Sequence, residues 1–194
     1  MNIICVCTGQ KYNKWYVNNL KHMIDNYSGL KYDTFNVITD NQHTGVFNKL
    51  QMFRDFTKGQ NLYFDLDMVI YDKLPNLIRK NFTLLDDTWW REAAHTPLNS
   101  SIVSWTGDVS HIWNKFKQND KEYLKTYTNG SDEWYYKNIQ YDTYGKICPS
   151  IKDYLYIQPP QFSVCTLGQM HHLQEEGWTG WYSNYFLSKQ SKAA

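Results

Sequence analysis

Residues Asn61 to Asp72 read N-L-Y-F-D-L-D-M-V-I-Y-D. The apolar run Leu62-Tyr63-Phe64 stops abruptly at Asp65-Leu66-Asp67, and Met68-Val69-Ile70-Tyr71 resumes it. Short runs rich in aromatic and β-branched residues predict buried strands. Carboxylates at i and i+2 of a strand end point the same way, because side chains alternate with a period of two. Like charges this close repel, and burying them unpaired is costly. A cation between them is therefore expected. A divalent metal with oxygen ligands, of the kind that also holds phosphate oxygens, fits that chemistry best. The competing reading is an ordinary strand end whose two acids face solvent.

The segments before this stretch set its context. Asn2 to Cys7 (N-I-I-C-V-C) predicts a first buried strand, broken by Thr8-Gly9-Gln10. Tyr12, Trp15, Tyr16, Leu20, Met23, Ile24 and Tyr27 recur at helical spacing, which predicts a helix over Asn13 to Asn26 ended by Ser28-Gly29. Thr34 to Thr39 reads as a second strand, closed by Asp40 and the loop Asn41 to Gly45. Phe47, Leu50, Met52, Phe53 and Phe56 mark a second helix, stopped by Lys58-Gly59. Strand, helix, strand, helix, strand is the order of a parallel α/β sheet, which binds ligands at the carboxyl ends of its strands. Thr8, Asp40 and Asp65 all fall at such ends, which favours the functional reading of Asp65 and Asp67. No Gly-x-Gly-x-x-Gly or Walker A loop is present, so a metal would have to do the work of those phosphate cradles.

Beyond Leu74-Pro75 the pattern loosens. Phe82 to Leu85 and Ser100 to Trp105 predict strands, and Asp86 to His95 a loop or short helix. Val109 to Phe116 and Asp120 to Tyr127 predict helices. Ser131-Asp132-Glu133 opens another, with Ser131 as N-cap and acids in its first turn, where acids are common for reasons unrelated to function. From Tyr154 onward a short strand, a Pro159-Pro160 turn, a strand over Phe162 to Leu167 and a disordered tail over 188–194 are expected. One domain over 1–187 follows.

Composition narrows the function classes. At 194 residues the chain can build a core without disulfide staples. Twenty Lys and Arg against 19 Asp and Glu leave a net charge of +1, so no global field draws it to nucleic acid or an anionic membrane. Cys5, Cys7, Cys148 and Cys165 lack metal-site spacing, and Cys5 and Cys7 read as buried thiols in a strand. No leader or membrane-length apolar run is apparent, so a cytoplasmic protein is expected. Aromatic content is high at 17%, with 8 Trp and 16 Tyr, more than a core of this size needs. Exposed Tyr and Trp commonly stack on sugars or bases, although an aromatic surface without a ligand is equally compatible with the composition.

The segment Thr44 to Leu74 resembles the core of nucleotide-sugar-dependent glycosyltransferases of the GT-A fold. It is most similar to the group containing glycogenin and bacterial lipopolysaccharide galactosyltransferases. In that pattern a Lys-Leu pair precedes a strand ending in Asp-x-Asp; here these are Lys49-Leu50 and Asp65-Leu66-Asp67. V-C-T-G-Q-K-Y resembles the family's first strand and uridine loop, with Thr8 and Tyr12 in place. Leu98-Asn99-Ser100-Ser101 resembles its Asn-Ser-Gly strand with Ser101 for Gly. Gly130-Ser131-Asp132-Glu133 resembles its Gly-Asp-Gln helix start, with one residue inserted and Glu for Gln. The family's third metal ligand is a C-terminal His followed by a Lys-Pro-Trp segment; here only His171-His172 stands, without Lys-Pro-Trp.

The resemblance implies an α/β, GT-A-like, mostly parallel sheet flanked by helices. It implies a metal-dependent enzyme moving a sugar from a UDP-sugar to a glycan or other hydroxyl acceptor with retention of the anomeric configuration, Asp132 matching the nucleophile position. Inversion would instead make Asp132 or Glu133 a base. The implied roles are Mn²⁺ or Mg²⁺ on Asp65, Asp67 and His171, and the nucleotide on Thr8, Tyr12, Asp40, Lys49 and Leu66. Arg91, Asn99, Ser100 and Asp132 would hold the sugar, with Asp132 and Glu133 catalytic. Tyr12 could instead be the first core residue of its helix. Two other classes compete. F-D-L-D-M-V also resembles the nucleophile loop of haloacid-dehalogenase-type phosphatases, but there it follows the first strand. A non-enzymatic carbohydrate-binding protein would use the aromatics but has no need of Lys49 beside two acids.

Overall fold

In the computed structural model, residues 1–43, 45–70, 73–86, 96–145, 151–153 and 164–166 are described, the last two segments and Val69 by backbone alone. The first strand, β1 (Asn2–Val6), pairs in parallel with β2 (Thr34–Ile38) on one side and β3 (Gln60–Phe64) on the other. Side chains alternate across the sheet, and both faces are covered along β1 and the end of β3, which read as continuous apolar runs, whereas the edge strand β2 (T-F-N-V-I) is mostly half-buried. Ile3, Cys5, Leu62 and Phe64 pack against α1 (Lys14–Asn26) through Leu20, Met23 and Ile24. Ile4 and Tyr63 face the opposite layer. Asn13 caps α1 by accepting from the Trp15 amide at 2.9 Å, which fixes where the helix starts after β1.

β4 (Met68–Ile70), β5 (Thr83–Asp86), β6 (Leu98–Thr106) and β7 (Asp142–Thr143) follow, with short β8 (Ile151–Asp153) and β9 (Val164–Thr166). The main sheet has the order β2-β1-β3-β6-β5-β7, and β4, β9 and β8 form a second, three-stranded sheet. The sheet is mixed: β6 runs antiparallel to both β3 and β5. A register break in the β5–β6 pair puts Leu84 opposite Val103 and Leu85 opposite Asn99. Ser100, Ser101 and Ile102 thus lack β5 counterparts, and the bulged stretch turns toward β3, where the Asp65 amide donates to the Ser101 carbonyl at 2.9 Å.

Several expectations change in kind. The second helix is a 3₁₀ segment, Gly45–Gln51, continued by one α-turn, α2 (Met52–Asp55). Phe47 through Phe53 are all buried, so this stretch has no solvent face to impose an amphipathic α period. α3 (His111–Gln118), α4 (Asp120–Thr126) and α5 (Ser131–Asn138) lie close to their expected places. The cap of α5 is Gly130 rather than Ser131, which is instead its first helical residue, buried, and makes no capping hydrogen bond. The aromatic excess is largely core. Trp105, Trp134, Tyr135, Phe53 and Phe116 are fully buried between the sheet and α2, α3 and α5, while Trp15 and Tyr136 are the exposed aromatics among the described residues. Cys5 is a buried thiol, pushed up to about 12 by burial and by neighbouring Cys7, which lies just past the end of β1. Cys165 lies on β9, and Cys148, the Pro159-Pro160 turn and the tail fall outside the described residues.

Candidate active site

β3 ends at Phe64, and the chain reverses at once: the Met68 amide donates to the Asp65 carbonyl at 3.4 Å, and β4 departs into the smaller sheet. Asp65 and Asp67 therefore sit in a turn rather than on an extended strand, and period-two alternation is not what brings them together. They nevertheless line one cleft of about 260 Å³ at the carboxyl ends of β1 and β3. The two acids have different partners there. Asp65 Oδ1 accepts from the Tyr63 hydroxyl and faces Lys49 Nζ at 3.4 Å. Asp67 Oδ2 accepts from the Tyr12 hydroxyl at 2.7 Å.

Lys49 is 6% exposed, and its ammonium donates to Ser100 Oγ at 2.7 Å and lies 3.4 Å from the Ser100 carbonyl. The Ser100 hydroxyl in turn donates to Asp132 Oδ1. A continuous line of polar contacts therefore runs from Tyr63 through Asp65, Lys49 and Ser100 to Asp132. Both contacts on Asp65 fall on Oδ1, which leaves Oδ2 for another ligand. Asp67 is 5% exposed, and burial together with the charge of Asp65 pushes its carboxyl up to about 7. Burial and the Asp67 carboxylate likewise push the Tyr12 phenol upward, so it stays a donor. Lys11 and Lys49 also line this cleft, and the charge of Lys11 offsets the rise at Asp67 only in part. Carboxylate oxygens converging beside a raised carboxyl fit a hard divalent cation. Among the described residues, no further His, Cys, Asp or Glu joins them as a third ligand.

Of the residues singled out by sequence, Thr8, Tyr12, Lys49, Asp65, Leu66 and Asp67 form the cleft wall. Asp40 is exposed at the end of β2; its carboxylate accepts from Gln42 and its carbonyl from Gln51 at 2.7 Å. Asn99 directs Oδ1 to the Ser101 amide at 2.9 Å, holding the β6 bulge. Glu133 accepts from Asn129 at 3.0 Å. Arg91 and His171 lie outside the described residues. The Tyr12 ring, ahead of α1, packs edge-on against Tyr16 at 5.1 Å, while its hydroxyl serves Asp67.

Other contributors have no role in the sequence reading. Lys11, Val46 and Ser101 fall inside the motif segments and also line the wall, with Val6, Gly45 and Tyr63. Asn48 knits the loop that leads into it, donating to the His43 carbonyl at 2.6 Å and accepting from the His43 amide at 2.8 Å. Only the Tyr63–Asp65 contact had a sequence signal, in their i, i+2 spacing.

Gly130 fixes how α5 approaches the cleft. Its φ of +105° and ψ of −166° suit glycine alone, and a Cβ there would meet Val46 Cγ2 at 3.0 Å. Gly130→Ala is expected to cost about 1–3 kcal/mol from the backbone conformation alone. Urea unfolding checks this; an unchanged midpoint would show that α5 can start from another geometry.

The same architecture occurs among solved structures. The glycosyltransferase GlyE of Streptococcus pneumoniae TIGR4 superposes with a TM-score of 0.50 at 12% identity, over 75% of this chain and 45% of GlyE. A glycosyltransferase involved in the glycosylation of the major capsid of PBCV-1 superposes with a TM-score of 0.53 at 11% identity, over 84% of this chain and 92% of that one. The fold is GT-A-like. At these identities the likeness concerns the fold, and this chain spans less than half the length of GlyE. No protein-family model matches the sequence, and no curated protein is significantly similar to it. In the GT-A-like frame the cleft lies where open α/β sheets bind ligands, outside the strands' carboxyl ends. No helix among the described residues is long and apolar enough to cross a membrane.

Proposed function

We propose that this chain is a glycosyltransferase that moves a sugar from a nucleoside diphosphate, UDP being the expected one, to a hydroxyl acceptor. The observation that carries this reading is the convergence of Lys49, Asp65 and Asp67 on one cleft of a GT-A-like sheet. Asp65 and Asp67 would hold Mn²⁺ or Mg²⁺, with His171 as a further ligand. When bound, the cation neutralises the diphosphate leaving group. Lys49 adds positive charge beside it without being consumed, because Ser100 and Asp65 already fix its ammonium. Thr8 and Tyr12 line the side of the cleft assigned to the nucleoside, and Leu66 closes it with an apolar contact. Asp40, at the end of β2 and outside the cleft wall, would have to leave Gln42 to reach the nucleoside. Asn99, Arg91 and Asp132 are assigned to the donor sugar, and Asp132 with Glu133 to its chemistry. Retention of the anomeric configuration is the expected outcome.

A thermal-shift screen of UDP-sugars tests the reading. A ligand that binds only the folded form at about 100 times its Kd adds about 2.7 kcal/mol. UDP and UDP-sugars are expected to raise the melting temperature in Mn²⁺ and not in EDTA. Equal stabilisation in both would remove the metal from the site. The anomeric proton coupling of the transferred sugar then reads the stereochemistry directly, an inverted product assigning Asp132 or Glu133 as the base.

A further inference from the structure

Ser100 is fully buried, yet its hydroxyl has charged groups on both sides. It accepts from Lys49 Nζ at 2.7 Å and donates to Asp132 Oδ1. Lys49 sits closer to this hydroxyl than to Asp65, at 3.4 Å. A hydroxyl can accept and donate at once, and each bond polarises it toward strengthening the other. The ammonium therefore acts on Asp132 through one intervening oxygen, while touching Asp65 directly.

The supporting backbone is specific. Ser100 belongs to the three-residue bulge that β6 makes against β5, and without that bulge its register would follow the ladder. Asn99 Oδ1, bonded to the Ser101 amide, holds the bulge from within. The β6 strand brings the hydroxyl to Lys49, 51 positions away in sequence, and α5 brings Asp132, 32 positions away.

We propose that Ser100 is a positioning residue, whose hydroxyl couples Lys49 to Asp132 and so holds the phosphate-side and sugar-side ends of the cleft in one arrangement. This rests on the function proposed above. It assigns Ser100 to the support of Asp132 and Lys49 rather than to contact with the sugar, as the sequence suggested. One of the two Asp132 oxygens is then fixed by Ser100, and the carboxylate has a single orientation to offer.

A double-substitution cycle tests the coupling. Partners that orient a functional group, when removed, typically cost about 10–100-fold in activity. Ser100→Ala is expected to lower kcat by that factor and, because the same hydroxyl fixes the Lys49 ammonium, to raise the donor KM as well. Ser100→Ala added to Asp132→Ala should then cost little more, since no carboxylate is left to orient. Ser100→Thr, which keeps a hydroxyl, should recover part of the kcat. Multiplicative losses in the double variant, or no recovery in Ser100→Thr, would overturn the proposal and leave Ser100 as packing.

The same cycle read by melting temperature needs no turnover. If the wild-type chain transfers sugar from no donor, the proposed function fails, but non-additive melting shifts still support the coupling and additive ones overturn it.

Discussion

Asp67→Asn is expected to stabilise the metal-free protein at pH 8 while reducing sugar transfer by about 10²–10³-fold. The two effects have one origin. Burial and the adjacent Asp65 charge raise the Asp67 carboxyl to about 7 in the folded chain. Unfolded, it would ionise near the ordinary Asp value, about 3.9. Between these values the unfolded chain has released a proton that the folded chain keeps, so stability falls as pH rises from about 4 to about 7. A shift of roughly three units corresponds to at most about 4 kcal/mol, lost fully above the folded value. Asparagine carries no such charge, and its carbonyl can still accept from Tyr12. The melting temperature of Asp67→Asn should therefore lack this part of the wild-type decline with pH. Identical pH profiles for the two proteins would show that Asp67 ionises in the fold without strain. Transfer falls in the same variant because an amide is a poor ligand for a hard cation, and the leaving diphosphate loses its neutralising charge.

Lys49→Met should have the opposite sign. It removes a buried ammonium and leaves Asp65, the Ser100 carbonyl and, through Ser100, Asp132 without it. Breaking a buried ion pair from one side costs about 3–5 kcal/mol when both groups are buried. The Asp65 side chain is 27% exposed, so water takes over part of the solvation and the lower end, about 3 kcal/mol, is expected. Urea unfolding measures this, and a loss well under 1 kcal/mol would mean that the pair is effectively solvated. A second readout distinguishes charge from packing. With its cationic neighbour gone, the Asp65–Asp67 pair should gain more melting temperature from Mn²⁺ than the wild type does. A smaller gain would place the cation elsewhere.

The contrast between these variants reflects how differently the turn treats its two acids. Asp65 has the Lys49 ammonium as its ion-pair partner, whereas Asp67 has the Tyr12 phenol and the charge of Lys11. The sequence reading treated them as an equivalent pair because it placed both on one strand.

Local pattern alone was enough to specify β1, β2, β3 and α1, because β1 and the end of β3 are unbroken apolar runs covered on both faces, β2 is a short run closed by Asp40, and α1 has apolar residues at helical spacing. Strand ends and the i, i+2 spacing brought Thr8, Asp40, Asp65 and Asp67 together, where an α/β sheet gathers its ligands, and the family resemblance added Lys49 and Tyr12. Of these, Asp40 does not line the cleft. What the sequence left open depended on residues distant along the chain. Tyr12 and Asp67 are 55 positions apart, Lys49 and Ser100 51, and Ser100 and Asp132 32. Their contacts exist because the strand order β2-β1-β3-β6-β5-β7 places β6 beside β3, and because β6 bulges where it meets the turn after Phe64. The destination of the aromatics was hidden for the same reason. Composition counts rings, but only the packing of α2, α3 and α5 on one face of the sheet decides that Trp105, Trp134, Tyr135 and Phe116 serve a core rather than a surface. Local periodicity encodes which face of an element is apolar; which element covers that face, and which side chain meets which, is fixed only by the tertiary fold.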